Sequence, residues 1–147
     1  MSKRIEVPFS TTLLVRDTCL CLHVQRAART LARRFDEALR PVGLTNGQFS
    51  LMMSLNRPVA AGMSSVANLL GMDRTTLTAA LKPLERRGLV NIAPDPADRR
   101  GRLLTLTDEG RAVLAAGVPI WEATHAAIES RLDLEPARLR EALSVLA

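Results

Sequence analysis

The stretch SSVANLLGMDRTTLTAALKPLERRGLV, Ser64 to Val90, leaves this chain few ways to fold. Val66, Ala67, Leu69 and Leu70 predict a short helix that Ser64 is placed to cap. Gly71 supplies a turn, and Asp73 is a strong N-cap for a second helix over Arg74–Arg87. Gly88 stands at the C′ position where glycine ends a helix, with Leu89 placed for the accompanying hydrophobic contact. Two short helices joined by a tight glycine-containing turn make a helix-turn-helix pattern.

The segment that follows, DPADRRGRLLTLTDEG, concentrates charge between Asp95 and Arg102 and then alternates apolar residues. Strands over Leu89–Ala93 and Arg102–Leu106 would flank that charged tip as a β-hairpin wing. At 100° per residue, Leu77, Ala80, Leu81 and Leu84 fall on one side of the helix Arg74–Arg87. The opposite side presents Thr75, Thr78, Ala79, Lys82 and Arg86. Small side chains let a helix sit deep in a major groove, hydroxyls reach base edges or phosphates, and cations neutralise phosphates. Ser64, Arg74 and Thr76 complete the helical contact set. On the wing, Arg99, Arg100 and Arg102 are candidates for phosphates or a narrow minor groove. Asp98 is expected to bind an arginine or the turn backbone and so to aim the loop.

The charge balance agrees with a polyanion partner. Twenty Lys+Arg stand against 15 Asp+Glu for a net charge of +5. Basic residues dominate the first two thirds of the chain and acidic ones the end. At 147 residues and 47% hydrophobic, the chain can bury one core; with 3% aromatic residues and no Tyr, Leu and Ala carry the packing of a mostly helical protein. No apolar run approaches a bilayer span and the N-terminus is too polar for a signal peptide, so a cytoplasmic location and no membrane partner are expected.

Around the helix-turn-helix, a stripe at Leu20, Val24, Leu31 and Phe35 predicts one long helix from Thr11 to Arg40, stopped by Pro41 and Gly43. Thr45 and Gln48 form a capping box for a helix that ends near Asn56–Pro58. Thr107 is placed to cap a further helix through Leu114, Val118, Trp121, His125, Ile128 and Leu132, with Pro119 expected to kink it. A last helix starts around Pro136. The terminal helices carry apolar stripes without an obvious partner in a small winged unit, which points to a homodimer; the alternative is a monomer in which those helices bundle together.

Asp98, Arg100, Leu106, Thr107 and Gly110 spell D-x-R followed by L-T-x-x-G, and with MDRTTLTAALKPLERRGLV they make the chain resemble the MarR family of winged helix-turn-helix regulators. The resemblance implies a mainly α fold with a small β-hairpin wing, as a single domain over residues 1–147. A helical dimerisation region (11–45 and 108–147) would flank a winged helix-turn-helix DNA-binding lobe (46–107). It implies a homodimer on a pseudopalindromic operator of double-stranded DNA, usually as a repressor released by a small ligand or by oxidation. Half-sites would lie about one helical turn, ~10 bp, apart.

Two signals are open to such a chain. A small aromatic or amphipathic effector would draw on His23, Arg26, Met52, Trp121 and His125. Alternatively, Cys21 has the spacing of the reactive cysteine in the organic-peroxide-sensing branch, although Phe35 stands where that branch would place a tyrosine. Cys21 also reads as a small buried hydrophobe. On an intact helix Cys19 would lie about 200° from Cys21, so the two could not bridge. Two histidines without ligand spacing give no metal site, no cofactor motif occurs, and CxC replaces the CxxC of a thiol-redox enzyme, so catalysis is not expected. A non-specific architectural DNA binder is the remaining rival.

Overall fold

A computed structural model describes residues 5–147, in the order α1 (Phe9–Thr18), α2 (Leu20–Leu39), a 3₁₀ turn (Arg40–Val42), α3 (Asn46–Ser54), β1 (Ala61–Gly62), α4 (Met63–Leu70), α5 (Arg74–Arg86), β2 (Val90–Asp95), β3 (Asp98–Leu106), α6 (Asp108–Glu129) and α7 (Pro136–Leu146). The chain divides into two compact units, the first ending at Arg34 and the second running Phe35–Ala147.

In the first unit the single long helix is interrupted. Cys19 takes an extended conformation between α1 and α2 (φ −68°, ψ 107°). The Thr18 hydroxyl donates to the Leu14 carbonyl at 2.6 Å, a back-bond that competes with regular helix. The Cys19 sulfur then accepts from the Leu22 N–H at 3.4 Å, capping α2 as a serine would. None of the described residues 5–34 is buried, and Phe9, Leu14 and Val15 of α1 are exposed.

The second unit holds the whole core. Leu39, Leu51, Met52, Val66, Leu77, Leu81, Leu84, Val90 and Leu104 are its fully buried large side chains, so α3, α4, α5, both long strands and the end of α2 each contribute. Local chemistry sets the element ends. Thr45 and Gln48 form the reciprocal capping box of α3. Asp73 caps α5 by accepting from the Thr76 N–H at 2.7 Å. At the other end of α5, Gly88 (φ +71°) permits a Schellman turn, Leu89 N–H to the Leu84 carbonyl and Gly88 N–H to the Glu85 carbonyl. α4 is begun by Gly62, without a side-chain cap, and Ser64 stands exposed in its first turn rather than at the cap. Pro83 and Pro119 lie inside uninterrupted helices, and α6 ends at Glu129, short of Leu132.

The sheet is antiparallel in the order β1-β3-β2, one strand more than a simple wing. Two-residue β1 pairs Ala61 with Leu104 and Gly62 with Leu103. The strands reach closer to the tip than the alternation predicts, and β2 begins at Val90 rather than Leu89.

Thr107 and Gly110 join the wing to α6. The Thr107 hydroxyl donates to the Gly88 carbonyl at 2.6 Å and accepts from the Gly110 N–H at 2.9 Å, while the Thr107 N–H donates to the Leu89 carbonyl at 3.1 Å. A Cβ on Gly110 would fall far inside van der Waals contact with the Leu89 carbonyl oxygen. The L-T-x-x-G pattern thus has a packing cause: it lets the first turn of α6 lie directly against the end of the α5–β2 connection.

Candidate nucleic-acid interface

Burial fixes which side of α5 is free. Leu77, Leu81 and Leu84 are buried, whereas Arg74, Thr75, Thr76, Thr78, Ala79, Lys82, Glu85 and Arg86 are exposed. The exposed face is therefore the one that the wheel assigns to a nucleic acid. Two of its groups are partly committed: the Thr78 hydroxyl donates to the Arg74 carbonyl at 2.8 Å, and the Thr76 N–H is held by Asp73. Hydrogen bonds from Thr76, its backbone N–H first and its side chain second, favour the ionised form and hold the Asp73 carboxyl below the usual carboxylate range.

The wing is irregular where its charge sits. Pro94 pairs with Arg102 but Asp95 pairs with Asp98, which leaves Arg99, Arg100 and Gly101 outside the ladder as a bulge. Asp98 accepts from the Arg100 N–H at 3.0 Å and Asp95 from the Ala97 N–H at 2.9 Å. Asp98 thus binds turn backbone, one of the two roles open to it. Asp98, Arg99, Arg100 and Arg102 are all exposed.

Helix and wing are joined. The Arg74 guanidinium donates through Nη2 to the Arg100 carbonyl at 3.1 Å. Between them lies a cleft of about 350 Å³ whose polar lining is Arg74, Thr78, Lys82, Glu85, Arg100 and Arg102. Among the described residues none of Arg74, Lys82, Arg86, Arg99, Arg100 and Arg102 is in an ion pair. Glu85, at the edge of the helical wheel, lines this cleft. Arg87 does not belong to the set: it donates to the Gly43 carbonyl at 2.8 Å and ties α5 to the turn after α2.

A second, apolar cavity of about 550 Å³ opens between α3, α4 and α6, lined by Phe49, Met53, Leu69, Leu70, Val118 and Trp121 together with Ser50, Ser54 and Glu122. Of the effector candidates, Trp121 lines it. His125 stacks on Trp121 (centroids 4.6 Å, 14° between planes), faces Glu129 at 3.4 Å and is absent from the lining. Met52 is wholly buried in the core and its neighbour Met53 takes the wall. The two are neighbours on α3 and so point about 100° apart, one into the core and the other into the cavity. His23 and Arg26 are exposed on α2 in the first unit, where His23 Nδ1 lies 2.7 Å from the Cys19 carbonyl. Cys21 is exposed, not buried, and Gln25 Nε2 donates to its sulfur at 3.0 Å. With Cys19 outside the helix, the separation of the two cysteines on an ideal wheel no longer applies.

Among the described residues no group of three His, Cys, Asp or Glu is placed to hold a metal, and no helix is long and apolar enough to cross a membrane.

A family model described as MarR family matches residues 44–101. The transcriptional activatory protein BadR of Rhodopseudomonas palustris is 38% identical over 97 residues, which covers 64% of this chain but only 55% of BadR. The crystal structure of the M. tuberculosis transcriptional regulator MosR in complex with DNA superposes with a TM-score of 0.81 at 38% identity, covering 88% of this chain and 93% of that one. Bordetella bronchiseptica BpsR, whose DNA binding is regulated by 6-hydroxynicotinic acid, superposes at 0.71 with 28% identity over 86% of this chain and 89% of its own.

Proposed function

Since the chain belongs to the MarR family of transcriptional regulators, we propose that it binds a pseudopalindromic operator in double-stranded DNA as a homodimer. The outer face of α5 enters the major groove and the bulged wing meets the flanking backbone. The observation that carries this reading is the set of unpaired cations Arg74, Lys82, Arg100 and Arg102 around one cleft between helix and wing. Thr75, Thr78 and Ala79 are small enough for close approach to base edges, and Arg86 and Arg99 reach phosphates. Ser64 and Thr76 lie in the first turns of α4 and α5, whose N–H groups suit phosphates. The DNA-bound form of MosR supports the same use of this fold.

Homodimerisation is supported by apolar residues that each unit leaves uncovered. Phe9 of α1 is 72% exposed and Val145 of α7 is 85% exposed, with Leu14, Val15, Leu143 and Leu146 beside them in their own helices. Patches of this kind mark interfaces. Sedimentation equilibrium tests it: a two-chain mass is expected, and a monomer at micromolar concentration would contradict it.

The protein acts as a repressor released by a small ligand that occupies the cavity between α3, α4 and α6. The cavity's size and apolar lining are those of a small-molecule site, and α4 is the first helix of the helix-turn-helix, so an occupant bears directly on the DNA-binding lobe. BpsR offers the precedent of a ligand-regulated relative. Fluorescence anisotropy on DNA from upstream of the protein's own gene tests the DNA-binding half, with Arg100→Ala expected to weaken binding and leave the dimer intact. Unchanged affinity would remove the wing from the interface.

Exposure of Cys21 and its contact with Gln25 keep a thiol switch as the second reading. Organic hydroperoxide would then abolish DNA binding in the wild type and not in Cys21→Ser; binding that survives oxidation would exclude it.

A further inference from the structure

The cavity between α3, α4 and α6 has a charge of its own. Its walls are Phe49, Met53, Leu69, Leu70, Val118 and Trp121; its polar groups are two serines and the carboxylate of Glu122. Among the described residues no Lys, Arg or His lines it. Glu122 has no ion pair among the described residues. The Ser54 hydroxyl is already spent on the Leu51 carbonyl at 2.6 Å, so it offers little to an anion. An adjoining cavity, which shares Met53 and Val118, brings in one cation, Arg111, and that side chain is paired with Asp108 at 3.1 Å.

An aromatic carboxylate entering here would meet a like charge and find, among the lining residues, only the Ser50 hydroxyl as a donor to replace water. An amine of the same shape would place its ammonium against Glu122 and its apolar body against Phe49, Met53 and Trp121, where a thioether and two aromatic rings are favourable neighbours for a cation and a hydrocarbon. His125, stacked on Trp121, holds that ring in place.

We propose that this cavity selects hydrophobic amines and discriminates against aromatic carboxylates, with Glu122 as the residue that sets the charge preference. The proposal rests on the cavity being the effector site and names the class of effector. It sets this chain apart from BpsR, which responds to a carboxylic acid.

Trp121 is the chain's one tryptophan and lines the cavity, so intrinsic fluorescence reports on this wall, and the Glu122→Gln comparison separates it from the smaller cavity of about 120 Å³ that Trp121 also lines and Glu122 does not. The full chain would be titrated at pH 7 with 4-phenylbutylamine, 4-phenylbutanol and 4-phenylbutyrate, which share one apolar body and differ in charge. The amine is expected to bind about tenfold more tightly than the carboxylate, with the alcohol between them. In Glu122→Gln the amine should fall to the level of the alcohol while the alcohol itself is unchanged, which controls for folding. Equal or tighter binding of the carboxylate, or an amine preference that survives Glu122→Gln, would overturn the charge assignment alone. If none of the three perturbs Trp121, the cavity is not an effector site and both readings fall together.

Discussion

Gly110→Ala sets two physical effects against each other, and the structure says which wins. Gly110 lies in the first turn of α6 without a positive φ, so helix propensity alone favours alanine by about 1 kcal/mol. Packing says the reverse. The new Cβ would overlap the Leu89 carbonyl and approach the Thr107 hydroxyl oxygen to 3.3 Å. Its main obstacle is backbone, which cannot rotate away as a side chain can. Relief requires the start of α6 to lift from the α5–β2 connection. That movement strains the Thr107 hydroxyl bond to Gly88, the Gly110 N–H bond to Thr107 and the Thr107 N–H bond to Leu89. At about 1 kcal/mol net for each, these amount to about 3 kcal/mol. The balance is a loss of about 2 kcal/mol, a fall of roughly 4–8 °C in Tm for a chain this long. Urea denaturation at one fixed protein concentration measures it, because the proposed dimerisation would make the midpoint depend on concentration. A Gly110→Ala protein as stable as the wild type, or more so, would refute the close-approach account of the L-T-x-x-G pattern.

Lys82→Ala removes an unpaired cation from the cleft and should reduce the slope of log K against log salt by about one; an unchanged slope takes Lys82 off the phosphates. Arg74→Ala releases the Arg100 carbonyl, and hydrogen exchange at the wing amides should quicken while the α5 amides keep their protection. If the wing is unaffected, the Arg74 contact does not anchor it. Leu84→Ala empties a fully buried position and should cost 2–5 kcal/mol, roughly; a loss below about 1 kcal/mol would mean that the core collapses around the gap. Asp73 has a folded pKa below its unfolded one, so its cap contributes fully above the ordinary carboxylate range and is lost as pH falls through the folded value. The stability gap between wild type and Asp73→Asn should therefore shift against the wild type on acidification from pH 7 to pH 3, and a pH-independent gap would contradict the cap.

Much of the fold is legible because its element ends are local. Thr45 with Gln48, Asp73, Gly88 and Thr107 each satisfy a helix end from within a few residues, and all four behave as their positions imply. The free face of α5 is legible for the same reason, since the buried Leu77, Leu81 and Leu84 recur at helical spacing. What was hidden depends on contacts distant in sequence or on atypical chemistry. β1 has two residues and exists by pairing with Leu103 and Leu104, far along the chain. The break at Cys19 carries neither glycine nor proline; a sulfur does the capping. Ser64 looked like a cap because serine favours that position, yet pairing of β1 brings Gly62 there instead. Glu122 gave no signal as a cavity residue because its role comes from what α3 and α4 place opposite it.

Sequence-specific binding through α5 and the wing is the central claim, and selection from a random duplex pool followed by anisotropy on the winning sequence tests it most directly. The account predicts enrichment of a pseudopalindrome with half-sites about 10 bp apart, bound at least ~10³-fold more tightly than random DNA, with Arg100→Ala eroding that affinity. A pool that yields no preferred sequence, or a preferred sequence whose affinity is indifferent to Arg100→Ala and Lys82→Ala alike, would contradict it.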